Sequence, residues 1–165
     1  LGGNVGLSLV EKDRLDVTKE ILIAAKEKNV EIVLPKDSVN AVGFKNSISS
    51  ITNIFDIPNG SMGLDIGPSS ISLFEKEILL SKKIIWNGPM GVFEFPNFSN
   101  GTIRIGEAIC KSTDNGAYSL VGGGDSAAAV KKYNLENRIS YLSTGGGAML
   151  EFLKGRSLPA LTALL

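Results

Sequence analysis

Twice in the last third of the chain, an apolar strand-like run ends in three consecutive glycines and gives way to a helix-forming stretch. Tyr118-Ser119-Leu120-Val121 leads into Gly122-Gly123-Gly124 and then Asp125-Ser126-Ala127-Ala128-Ala129-Val130. Ile139-Ser140-Tyr141-Leu142-Ser143-Thr144 leads into Gly145-Gly146-Gly147 and then Ala148-Met149-Leu150-Glu151. A chain that turns on glycine at a strand end and starts a helix at once places free backbone amides beyond the carboxyl end of that strand, where open α/β sheets bind ligands. Glycine makes up 19 of the 165 residues, above the usual share of roughly 7%. The sequence around the triplets is complex, so they are not linker composition.

The rest of the chain supplies the alternation such a sheet needs. Residues 13–28 carry Leu15, Thr18, Leu22 and Ala25 at helical spacing beside Ile21, which predicts one helix with an inward stripe. Asp13 and Asp16 lie early in it and Lys26 and Lys28 late, as the helix dipole favours. Residues 30–34, stopped by Pro35, read as a buried strand, and 36–60 as turn-rich chain with an edge strand near 50–55. Helices are expected over 70–81 (Ile71, Phe74, Ile78 and Leu79 on one face), 102–112, 126–132 and 148–154. Strands are expected over 83–86, 117–121 and 139–143. Successive strand–helix units with buried strands imply parallel pairing through right-handed crossovers. The expected fold is α/β, an open, mostly parallel sheet with helices on both faces, in one Rossmann-like domain over residues 1–165.

Composition removes several chemistries. There is no histidine, so Ser–His or Cys–His nucleophiles, His-ligated metals and imidazole proton shuttles are excluded. Cys110 is alone, so no intramolecular disulfide forms and a reducing, cytoplasmic compartment is expected. Lys and Arg total 17 against 17 Asp and Glu, which argues against nucleic acid or an anionic membrane surface as partner. No apolar run approaches the roughly 20 residues of a membrane helix. Residue 1 is Leu, and residues 1–10 carry neither a basic leader nor a cleavage site, so the segment opens as a piece of a longer chain would.

Asp125 places a carboxylate beside the amides of a helix start, and a carboxylate next to a phosphate site points to a bridging Mg²⁺. The competing reading is that Asp125 and Ser126 only cap the helix. One triplet alone is explained by close packing; two at successive strand ends read better as two phosphate-approach loops on one rim. Neither triplet is followed by Gly-Lys-Ser/Thr, so this is not a Walker A loop, and no G-x-G-x-x-G follows the first strand, which disfavours a nicotinamide enzyme. A third rim element, residues 86–94, carries Asn87 and Glu94 in an apolar, glycine-rich stretch. Glu94 suits ribose hydroxyls, although by itself it reads better as a solvated loop residue.

Three segments together resemble the phosphoglycerate kinase family: Trp86-Asn87-Gly88-Pro89-Met90-Gly91-Val92-Phe93-Glu94, Val121 through Ala129, and Ser143-Thr144-Gly145-Gly146-Gly147-Ala148. Met62-Gly63-Leu64-Asp65-Ile66-Gly67-Pro68 and Ser8-Leu9-Val10-Glu11 resemble it too, in family order along the chain. The resemblance implies the C-terminal, nucleotide-binding portion of a two-domain enzyme, monomeric at full length. That enzyme reversibly transfers a phosphoryl group between 1,3-bisphosphoglycerate and ADP, giving 3-phosphoglycerate and ATP in glycolysis. By resemblance, Gly63 and Leu64 line an adenine pocket with Pro89 nearby, Asn87 lies near sugar and phosphates, and Glu94 holds the ribose. Gly123, Gly124, Asp125 and Ser126 form the phosphate loop with Asp125 on Mg²⁺, and Gly145, Gly146 and Gly147 offer amides to the phosphoryl group in flight.

Two positions depart from the pattern: Ser126 stands where the family usually has Thr, which keeps the hydroxyl, and Leu7 where it often has Lys. The family's N-terminal domain, with its basic glycerate-phosphate site and catalytic arginine, has no counterpart here, nor has its upstream glycine- and lysine-containing motif. These residues alone are therefore expected to lack kinase activity. The alternative is a stand-alone nucleotide- or phosphate-binding module without catalysis. Phe93, Phe95 and Phe98 on one loop, and the apolar residues 158–165, are expected to leave bare surface through which the segment self-associates.

Overall fold

The computed structural model describes residues 2–158 and 162. It is an α/β structure in which parallel strands are flanked by helices. In chain order the elements are β1 (Asn4–Val5), α1 (Leu15–Glu27), β2 (Asp37–Ala41), β3 (Ser50–Asn53), β4 (Asp56–Ile57) and β5 (Met62–Ile66). There follow α2 (Pro68–Leu80), β6 (Lys83–Asn87), α3 (Asn100–Asp114), β7 (Tyr118–Gly122), α4 (Gly124–Lys132), β8 (Tyr141–Ser143) and α5 (Gly146–Leu153).

Among the described residues the strands form three sheets. β6, β7 and β8 pair in parallel, in that order, and β1 pairs in parallel with β4. The third sheet, β3-β2-β5, is antiparallel. Trp86 and Val121 are in register across β6 and β7, with Leu142 beside Val121 on β8. They face Ile105, Ile109 and Cys110 of α3 and Val130 of α4, and Phe74 and Ile78 of α2 pack on the same cluster. On the opposite face Met149 of α5 reaches Gly122, while Ile85 and Tyr141 are exposed. A smaller core joins Ala41 and Leu64 of the antiparallel sheet to Phe98.

Two buried aspartates from the antiparallel sheet tie the halves together. Asp37 accepts from the amides of Ser69 and Ser70 at 2.9 and 2.8 Å, in the first turn of α2. Asp65 accepts from the amide of Gly101 at 2.8 Å, in the first turn of α3. Neither helix has a side-chain cap from its own flanking residue, so these carboxylates satisfy donors that would otherwise be orphaned. Burial pushes the Asp37 carboxyl up, but the hydrogen bonds from Ser70 and Ser69 outweigh it and leave its pKa below the ordinary value. For Asp65 burial wins over the bonds from Gly101 and Ile66, and its pKa rises to about 6.

Several expectations need correction. The residues 13–28 helix forms, but its stripe does not face inward: Leu15, Thr18, Ile21 and Leu22 are exposed and only Ala25 is half-buried. Residues 30–34 form no strand and have no ladder partner among the described residues, and Val30, Ile32 and Leu34 are exposed, so they are not a buried strand. The turn-rich reading of 36–60 missed β2, and nothing predicted β5. β2 reads as turn because its polar side chains are buried against partners: Asp37 on α2, and Asn40 with its Nδ2 donating to Thr52 Oγ1 at 2.8 Å. On α2, Ile71 is buried but Leu79 is 43% exposed. The phenylalanine loop is not bare, because Phe93 and Phe98 are buried and Phe95 is half-buried. Of the apolar tail, residues 159–161 and 163–165 lie outside the described residues. No helix among the described residues is long and apolar enough to cross a membrane.

The raised pKa of Asp65 carries a sign. A carboxyl that binds its proton more tightly folded than unfolded favours the folded state most at low pH, and that advantage is lost as pH rises through about 6. Asp65→Asn should therefore gain on the wild type by on the order of 2 kcal/mol between pH 4 and pH 7.5. Urea unfolding of both proteins at the two pH values measures this.

Candidate functional site

Both glycine triplets lie further inside their helices than the sequence suggests. α4 begins at Gly124 and α5 at Gly146, each about two residues earlier than expected. The low helix propensity of glycine hides these starts. The first-turn amides of α4 and α5 therefore belong to the glycine loops themselves. The two triplets touch: a Cβ on Gly146 would stand 2.5 Å from the Gly123 Cα and 2.8 Å from its nitrogen. Gly123 also has φ +95°, a left-handed conformation that favours glycine. Gly124 and Gly147, by contrast, have nothing within 4 Å of where a side chain would start.

Between the two helix starts lies a cleft of about 420 Å³, lined by Asn87, Gly88, Gly123, Gly124, Asp125, Ser126, Thr144, Gly146, Gly147 and Leu150. The sequence-predicted Asn87, Gly123, Gly124, Asp125, Ser126, Gly146 and Gly147 thus come together. Gly145 does not join them; it is the residue before α5 and lines the opposite groove beside Met149. Asn87 stands over the contact between the triplets, its Oδ1 3.0 Å from a Cβ placed on Gly123. No residue flanking α4 caps it by a side chain, so the capping account of Asp125 and Ser126 fails. Asp125 is exposed in the first turn, bonded to no described side chain. Ser126 is buried, and its Oγ accepts from the Gly88 amide at 2.6 Å.

A second cleft, of about 470 Å³, adjoins the first across Gly88 and Pro89. Gly63, Leu64 and Pro89 line it, as expected, together with Ser8, Leu9, Ser38, Ile57, Met90 and Val92. Ser8, Leu9, Ser38 and Ile57 were not foreseen as site residues. The Ser8-Leu9-Val10-Glu11 match was the available signal for the first two, and Ser38 and Ile57 enter only through the unpredicted pairing of β2 and the fold of β4. Ser8 Oγ accepts from the Gly63 amide at 3.0 Å and ties the N-terminal segment to the cleft wall. Glu94 is exposed and lines neither cleft. The 88–93 segment is held by Trp86 Nε1 donating to Gly88 O at 2.7 Å and by Thr102 Oγ1 accepting from Met90 N and Gly91 N at 3.1 and 3.2 Å.

Chemically, the first cleft offers two sets of helix-start amides to an anion and one carboxylate to a cation. The second offers a largely apolar slot. No Lys or Arg lines either cleft. No group of three or more potential metal-ligating side chains occurs among the described residues. A lone carboxylate fits Mg²⁺, which is commonly held by one or two carboxylates plus substrate phosphates.

The phosphoglycerate kinase family model matches residues 1–156. Phosphoglycerate kinase from Porphyromonas gingivalis is 51% identical over 164 residues, which is 99% of this chain and 39% of the relative. That from Thermosipho africanus is 52% identical over 166 residues, 99% of this chain and 41% of the relative. The solved phosphoglycerate kinase of Coxiella burnetii superposes with a TM-score of 0.90 at 41% identity, over 98% of this chain and 41% of its own. That of Pyrococcus horikoshii gives 0.76 at 32% identity, over 93% and 37%. The chain spans about two fifths of the length of the relatives it matches.

The contact between triplets predicts opposite outcomes for two neighbouring glycines. Gly146→Ala forces backbone against backbone and should destabilise the fold by roughly 1–3 kcal/mol or more. Gly147→Ala meets open space and should be neutral or slightly stabilising, since alanine is the better helix former. Thermal unfolding of the two variants separates them.

Proposed function

The chain belongs to the phosphoglycerate kinase family, and we propose that it provides that enzyme's Mg-ADP/ATP-binding part. The observation that carries this reading is the convergence of two helix starts and one free carboxylate on a cleft whose wall at Gly88 is followed directly by Pro89 of a largely apolar slot. In the proposed complex the base enters the slot over Gly63, Leu64 and Pro89. The phosphates lie on the amides of Gly123, Gly124 and Ser126, with Asn87 beside them, and Glu94 takes the ribose hydroxyls. The amides of Gly146 and Gly147, with Gly145 preceding them, face the transferred group.

Mg²⁺ held by Asp125 and the phosphates would neutralise charge on the nucleotide. Nothing in this arrangement requires a protein nucleophile. An in-line transfer between two bound anions, here 1,3-bisphosphoglycerate and ADP, is driven by positioning and charge stabilisation. The chain's own contribution is directional: amides fixed at the helix starts need no reorganisation as charge develops. Because neither cleft contains a basic side chain, the cationic part of the stabilisation must come from groups beyond these clefts. The same reading places the protein in cytoplasmic glycolysis, working as a monomer at full length.

Calorimetric titration with ADP, with and without Mg²⁺, tests the site. Saturable binding strengthened by Mg²⁺ is expected, and Asp125→Ala should weaken Mg-ADP binding on the order of ten-fold while leaving metal-free binding nearly unchanged. Absence of saturable binding, or binding untouched by Asp125→Ala, would count against the assignment. A coupled assay on the 165 residues should show no turnover, and substantial ATP formation from 1,3-bisphosphoglycerate would overturn the division of labour proposed above.

A further inference from the structure

α4 grips the 86–94 segment at two points. In its first turn, Ser126 Oγ accepts from the Gly88 amide at 2.6 Å. At its far end, Lys132 Nζ and Tyr133 Oη both donate to one acceptor, the Phe93 carbonyl oxygen, at 2.8 and 3.0 Å. The Lys132 ammonium also stands 5.5 Å from the centroid of the Phe93 ring. That carbonyl belongs to the peptide joining Phe93 to Glu94. Phe93 is buried and Glu94 is exposed, so the chain leaves the core at this bond.

We infer that Lys132 and Tyr133 are positioning residues that fix the Phe93–Glu94 peptide and so aim the Glu94 carboxylate at the ribose of the nucleotide. The inference rests on the reading above, in which Glu94 takes the ribose hydroxyls. An exposed glutamate on an untethered loop loses both backbone and rotamer freedom when it engages a ligand. Two donors on the carbonyl just before it remove most of the backbone share of that cost in advance. A hydrogen bond from a charged donor is the stronger kind, and Lys132 supplies one. Asp125 sits at the other end of the same helix, about 12 Å away along its axis. The sugar-directed and phosphate-directed carboxylates are thus registered to one rigid element.

A merely stabilising contact would affect all ligands alike, whereas a positioning role is specific to the sugar hydroxyls. The test is Mg²⁺-dependent titration of the full chain with ADP and with 2′,3′-dideoxyadenosine diphosphate, for wild type, Lys132→Met, Tyr133→Phe and Lys132→Arg. Lys132→Met should weaken ADP about five-fold and Tyr133→Phe about three-fold. Both should leave the dideoxy nucleotide unchanged, and Lys132→Arg should restore much of the loss. In a Glu94→Gln background, Lys132→Met should add nothing further. Equal weakening of both ligands, or an effect that persists without Glu94, would overturn the inference. Tyr133→Phe keeps the ring packing and serves if Lys132→Met fails to fold. If the wild type binds no ADP, the nucleotide reading falls and this inference with it. If it binds ADP in preference to the dideoxy form and neither variant changes that preference, only the positioning role falls.

Discussion

Gly146 lies so close to Gly123 that a single added carbon would stand 2.5 Å from a backbone atom. Everything proposed for this chain depends on that contact. Parallel neighbours β7 and β8 set their two loops side by side, and the missing side chains let the loops close until the starts of α4 and α5 open on one cleft. With a β-carbon at either position the helices would separate or one would lose its first turn. The anion site is therefore a product of steric absence as much as of the dipoles that it concentrates.

That construction explains how a chain with no net charge and no cationic residue in its clefts can still present positive potential. Peptide dipoles supply it at fixed places and without titration. The carboxylates divide by the same logic. Asp37 and Asp65, buried, occupy the starts of α2 and α3 and hold the fold, whereas Asp125, in the first turn of α4, is exposed to the cleft. Three helices thus meet a carboxylate at the positive end, and solvent access separates the structural pair from the candidate metal ligand.

The parts of the molecule readable in advance were those whose function is local. Strand–glycine–helix segments declare themselves in a few consecutive residues, and α2, β6, α3, β7 and α4 all fall within a few residues of expectation. β2 is not readable, because Asp37, Ser38 and Asn40 look like turn residues until their distant partners are known. The reverse holds at α1 and at residues 30–34. Periodicity and β-branching register a demand for burial, and they do not say whether a covering surface lies within the same chain. Here the described residues leave both faces exposed. Glu94 illustrates a third kind of limit: its type and neighbours recommend it, while the tether that gives it direction lies about forty positions further along at Lys132 and Tyr133.

The triplets also show why a glycine count does not identify a site. Gly123 and Gly146 are explained by packing alone, and a purely structural protein would need them equally. Gly124 and Gly147 are different. Each occupies the first turn of a helix, where glycine is a poorer helix former than alanine, and each faces open space. Packing offers no compensation for that cost. What glycine adds there is access, since a bare backbone lets a large anion approach the helix-start amides to hydrogen-bonding distance where a methyl group would hold it off. On the proposed reading, these two unsupported glycines, rather than the two in contact, mark where the phosphates lie.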